Sequence, residues 1–180
     1  MNEGLIPRRY AKALYKVAVD RGDAETLYAL MNKLVDAALA ETSLASVVAN
    51  PFVSVSDKCE LIKTAAGSGA DNATFNDFLK LLAENKRLDM VFAIAREFTA
   101  LYRREKNIYK VEVVSAAPLS AEDESRLKKI IDTNLQGGSM EYSSSVNPDL
   151  IGGFTVTIDN RKLDASVSNE LKQLRVNLLK

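Results

Sequence analysis

Apolar side chains recur every three to four positions up to Asn107, and segments with a period of two appear only after it, which limits what the chain can fold into. An amphipathic helix answers to the first period and a half-buried strand to the second. A helical domain followed by a smaller mixed one is therefore expected.

The first helix is predicted to gather Ile6, Tyr10, Ala13, Leu14 and Val17 on one face, with Pro7 in its first turn and Gly22 closing it. Asp23 is placed to cap a second, whose stripe is Leu27, Leu30, Met31, Leu34, Val35 and Ala38 and which ends near Ala40. A short third around Leu44, Val47 and Val48 must stop at Asn50, because a residue before proline, here Pro51, is pushed out of helical geometry. Ser56 is the expected cap of a fourth carrying Cys59, Ile62 and Ala66, which ends in Gly67, Ser68 and Gly69. Asn72 caps a fifth with Phe75, Phe78, Leu79 and Leu82. After a break at Asn85 a sixth carries Val91, Ile94, Ala95, Phe98 and Leu101.

Beyond Asn107, Ile108, Lys110, Glu112 and Val114 fall on one side of an extended segment, and Tyr109, Val111 and Val113 on the other. Ser120 with Asp123 forms a capping pattern for a helix bearing Leu127, Ile130, Ile131 and Leu135, after which Gly137 and Gly138 turn the chain. A strand over 140–146, a turn at 147–149, and the alternation of Phe154, Val156 and Ile158 with Thr155 and Thr157 predict a small sheet. Asp159 and Asn160 mark a hairpin before Leu163, and a last helix, capped near Ser168 and running to Leu179, aligns Leu171, Leu174 and Leu178. The fold class expected is α plus small α/β. A six-helix bundle over 1–105 precedes a domain over 106–180 with a short β-sheet and two helices, the joint lying at 104–107.

Function is narrowed by what is missing. The chain contains no histidine, which removes the commonest general base near neutral pH and rules out Ser-His and Cys-His nucleophile schemes. Lys and Arg total 24, as do Asp and Glu, so no excess of positive charge steers the molecule to nucleic acid. Cys59 stands alone, which excludes an intramolecular disulfide and a cysteine-cluster zinc site, so packing must supply the framework. No window approaches the roughly 18–20 apolar residues of a membrane span, and the start MNEGLIPRRYAK lacks a signal-peptide core; a cytoplasmic chain is expected.

Four features carry candidate chemistry. Glu122, Asp123 and Glu124 suit acid-base work or a hard cation, but in a first helical turn they complement the helix dipole. Gly152 and Gly153 lack the context of a phosphate-cradling loop, and a glycine pair entering a strand more often marks a bulge or a close backbone approach. Arg8, Arg9 and Lys12, and later Arg103, Arg104 and Lys106, are short basic clusters expected on solvated helix faces beside acids. Tyr10 is read either as core or as part of a groove that receives a partner helix.

RRYAKALYKVA over 8–18, the Asn50–Pro51 break before a lysine-bearing helix, FLKLLAENKRLDMV over 78–91, VEVVSAAPLS over 111–120 and LIGGFTVTIDNRKLDASVSNELKQL over 150–174 together resemble the delta subunit family of F-type ATP synthases, which includes the mitochondrial oligomycin-sensitivity protein. Lys162 with Leu163 departs from the apolar pair frequent at that hairpin. The resemblance implies a non-catalytic stator subunit with no cofactor, metal or catalytic residue. Its helical domain would receive N-terminal helices of alpha subunits, and its C-terminal domain would engage the C-terminal region of the b stalk. Such a subunit couples proton-driven rotation to ATP synthesis from the cytoplasmic face of a bacterial membrane, touching the membrane only through the complex and forming no obligate homo-oligomer. By analogy the alpha groove lies between the first and fifth helices at Tyr10, Ala13, Val17, Phe78 and Leu81. Ile151, Phe154, Leu171, Leu174 and Leu178 are the stalk candidates, with the alternative that the leucine stripe merely covers the small sheet. The rivals are an RNA-binding adaptor using the basic clusters and a carboxylate hydrolase using Asp149 and Asp164.

Overall fold

A computed structural model describes residues 4–67, 72–135, 137–159 and 161–178, so Ser68, Gly69, Asn160 and Leu179 lie outside the described residues. The chain divides into two units, Met1–Tyr102 and Arg103–Lys180. Among the described residues the first holds α1 (Leu5–Arg21), α2 (Ala24–Ala40), α3 (Ser43–Ala49), α4 (Val55–Ala66), α5 (Ala73–Glu84) and α6 (Val91–Lys106), with a 3-10 turn at Leu88–Met90. The last turn of α6 falls in the second unit.

Local chemistry sets these boundaries. Gly22 ends α1 with φ of 73°, a left-handed geometry that costs glycine little. The side-chain oxygen of Asn72 accepts from the Phe75 N–H at 2.8 Å and so caps α5. Asp23 stands at the start of α2 but makes no side-chain cap bond; its carboxylate accepts from Asn72 Nδ2 at 2.9 Å instead. The cap of α4 is Ser54 rather than Ser56: Ser54 has the extended backbone a cap requires, and its Oγ accepts from the Asp57 N–H at 3.1 Å.

Leu27, Met31, Leu34, Ile62, Phe75, Leu79, Leu82, Val91, Ile94 and Phe98 are fully buried and form the bundle core. Each contributes roughly 1.5–3 kcal/mol by leaving water, offset largely by chain ordering. Tyr102, not Leu101, is the buried residue at that point of α6, and it stacks on Tyr28 with ring centroids 4.2 Å apart. Val35, Ala38 and Cys59 are only half-buried, and Val47 is exposed.

In the second unit β1 (Ile108–Ser115), α7 (Ala121–Asn134), β2 (Ser139–Val146), β3 (Gly153–Ile158), β4 (Arg161–Ser166) and α8 (Val167–Leu178) follow in order. The sheet order is β2-β1-β3-β4. The β1–β2 pair is parallel, bridged by the α7 crossover that parallel strands need, and the other two pairings are antiparallel. Val111, Val113 and Val156 from the sheet pack with Ile131 of α7 and Leu135 just past its end, flanked by Leu127 and Phe154. Ile130 faces solvent. Ser120 caps α7 by accepting from the Asp123 N–H at 3.1 Å.

The cap of α8 is Ser166, two residues before the serine expected. Its Oγ accepts from the Asn169 N–H at 3.2 Å and donates to Asp164 Oδ1 at 2.6 Å, while its N–H donates to the same oxygen at 3.1 Å. These two bonds hold the Asp164 carboxyl below its ordinary value. A depressed carboxyl stabilises the fold above its unfolded-state value and loses that contribution as the pH falls through the lower folded value. Acidification below about pH 4 is therefore expected to loosen the first turn of α8, read as faster amide exchange at Asn169. Asp164→Asn should flatten that acid response; an equally steep response in the variant would overturn the assignment.

Candidate functional site

The burial pattern of α1 is rotated from the predicted stripe. Pro7, Ala11, Leu14 and Ala18 face the bundle, whereas Tyr10 is half-buried, Ala13 is exposed and Val17 is 41% exposed. The steps from 7 to 11, 14 and 18 trace one side of a helix, and 10, 13 and 17 lie one residue, about 100°, around from it. That neighbouring apolar face is not wasted. With Leu14 it forms one wall of a cleft of about 320 Å3 whose other wall is Phe78 and Leu81 of α5. Phe78 is buried and Leu81 is 46% exposed. All five residues predicted for the helix-receiving groove thus line one cleft.

One end of the cleft is polar. Arg21 Nη1 donates to Thr74 Oγ1 at 3.1 Å and to Asp77 Oδ2 at 2.9 Å, and all three residues line the cleft. Sequence reasoning passed over this trio, because no local pattern connects Arg21 to positions more than fifty residues away that meet it only through packing.

The stalk candidates separate. Leu171, Leu174 and Leu178 are 52%, 56% and 84% exposed, and α8 buries none of its described residues. The reading in which this stripe covers the sheet therefore fails. Ile151 is 67% exposed at φ of 66°, beside the turn Pro148–Leu150 that α8 packs against. Phe154 is half-buried and belongs to the sheet core.

The other candidates have structural employment. Glu122 pairs with Arg126 at 2.6 Å, Glu124 with Lys128 at 2.7 Å, and Asp123 accepts from Ser120. Gly153, at φ of 74°, lies where an added Cβ would collide with the Ala165 carbonyl oxygen, so the glycine pair serves a close backbone approach. Arg8 lies 3.9 Å from Glu97, Arg104 3.7 Å from Glu105, and Arg103 bonds Glu141 at 3.0 Å. Asp149 is exposed in the 3-10 turn, where its N–H bonds Asn147. Among the described residues no helix is long and apolar enough to cross a membrane.

The chain matches, over residues 6–178, the family described as ATP synthase delta (OSCP) subunit. It belongs to that family. A protein of Parabacteroides distasonis named ATP synthase subunit delta is 35% identical over 179 residues, covering 99% of this chain and 98% of that protein. Another of the same name from Desulfitobacterium hafniense is 32% identical over 178 residues, with 99% and 98% covered. A chain in the cryo-EM structure of the Toxoplasma gondii mitochondrial ATP synthase hexamer shares the fold, with a TM-score of 0.72, 24% identity and 97% of each chain covered. As a delta (OSCP) family member the chain is a non-catalytic stator subunit of an F-type ATP synthase, peripheral to the membrane. That role asks for docking surfaces rather than a general base.

Proposed function

We propose that the α1–α5 cleft receives an amphipathic helix from the N-terminus of an alpha subunit and that the leucine stripe of α8 docks on the C-terminal region of the b stalk. The chain then ties the catalytic head to the stalk at the cytoplasmic face of a bacterial membrane, so that the head does not turn with the rotor. The observation that carries the first contact is the cleft: its walls are apolar, it is open to solvent, and the small Ala13 lets a helix backbone come close. A stator under torque needs tight attachment, and nanomolar binding corresponds to about 12 kcal/mol. Two contacts on one chain reach that tightness more easily than one.

Calorimetric titration with a synthetic peptide of the cognate alpha N-terminal helix tests the cleft. Saturable one-to-one binding is expected. Tyr10→Asp, which sets a charge in the apolar wall, and Ala13→Trp, which fills the gap, should each weaken it at least about tenfold. Both positions lie outside the core, so both variants should fold. Absence of binding by a well-folded wild type, or binding indifferent to both substitutions, would overturn the assignment.

A further inference from the structure

We propose that Arg21 is the positioning residue of the cleft, a clamp that holds α1 and α5 at the separation a helix requires before the helix arrives. The inference rests on the cleft being the docking site. Arg21 is the last residue of α1, and Thr74 and Asp77 belong to the first half of α5. A single nitrogen, Nη1, reaches both, so one side chain spans the cleft at its end. Thr74 is 2% exposed, which gives the clamp a fixed foothold, whereas Asp77 and Arg21 keep about half their side chains in water. A second tie lies alongside: Asn72, whose Oδ1 caps α5, donates from Nδ2 to the carboxylate of Asp23, just past the end of α1.

These bonds join the C-terminal end of one wall to the N-terminal end of the other. The middle of the cleft, at Val17 and Leu81, holds exposed apolar surface on both sides. With nothing packed between them, the two walls lack the contacts that would fix their separation and can drift apart. A bridge at the end of the cleft opposes that motion. A half-exposed ion pair adds little to global stability, because solvent screens it and the long side chain loses freedom. Its consequence is local: binding to a cleft that is open only part of the time is weakened by the open fraction, and a clamp raises that fraction.

The test uses the full chain, with Arg21→Met keeping the side-chain length without the donors and Arg21→Lys keeping the charge. In the free protein Arg21→Met should speed amide exchange about tenfold in the last turn of α1 and at Phe75 and Asn76 of α5, whose N–H groups bond Asn72, while the denaturation midpoint stays nearly unchanged. The same variant should bind the alpha peptide about tenfold more weakly, and Arg21→Lys should recover most of both effects. Unchanged exchange in Arg21→Met sinks the clamp whatever the peptide does, and so does faster exchange with undiminished affinity. A wild type that binds no peptide while exchange still answers to Arg21 sinks the occupant and leaves the clamp standing.

Discussion

Replacing Gly153 with valine is expected to strip the C-terminal unit of a large part of its stability while the helical unit is unaffected. Two penalties coincide at this position. The backbone is at φ of 74°, where a side chain meets its own peptide and a β-branched residue fares worst. An added Cβ would also press on the carbonyl of Ala165, and a backbone carbonyl in a strand cannot swing aside as a lysine tip can. Gly153 pairs with Ser166 at the end of the β3–β4 ladder, and its own carbonyl accepts from the Ala116 N–H at 3.1 Å. Relief by moving β4 would break that register and disturb Ser166, the cap of α8.

Strain and displacement together should cost on the order of 3 kcal/mol or more. A domain of this size is stable by only roughly 5–10 kcal/mol, and its buried apolar core is small. Native-state amide exchange reads the result: protection lowered on the order of a hundredfold or more across β1, β3 and β4 but unchanged in α2 and α5. A Gly153→Val protein with a β3–β4 hairpin as protected as that of the wild type would refute this account. Gly152→Ala makes an informative contrast, because its Cβ would meet only the Val167 side chain, at 2.9 Å, and that side chain can turn.

The order and type of the elements were legible because each of the long ones carries an unambiguous period. What the period could not decide is which of two apolar faces is buried. On α1 alanines contribute to the core at positions 11 and 18, where they add little to any hydrophobic signal, while the larger Tyr10 and Val17 sit on the wall of the cleft. Size pointed to the wrong face as core, and that face lines the cleft instead. Serine caps were misplaced by two positions at both Ser54 and Ser166, since a cap is chosen by backbone geometry, which neighbouring serines do not reveal. The Arg21 clamp was invisible for a different reason: its partners are remote in sequence, and hydrogen bonds of that kind leave no pattern along the chain.

Amphipathicity likewise marks a face without saying what covers it, and α8 is the case where that matters for function. Converting Leu171, Leu174 and Leu178 together to aspartate is expected to cost the free protein no more than about 1.5 kcal/mol, roughly 0.5 for each position, because all three side chains are more than half exposed. The capping bonds from Ser166 lie at the other end of the helix and are untouched. Under the proposed function the same variant should lose stalk binding by on the order of a thousandfold. Burying even one carboxylate against an apolar partner is costly, and three such positions form one contiguous stripe. The measurement is a titration of wild type and triple variant with the C-terminal segment of the cognate b subunit, run beside urea denaturation of both. Lost binding with stability inside the expected margin identifies α8 as a docking face. A variant that unfolds early would mean the stripe is covered in the free protein, and one that binds normally would move the stalk contact elsewhere on the C-terminal unit, leaving the leucines of α8 without a role in assembly.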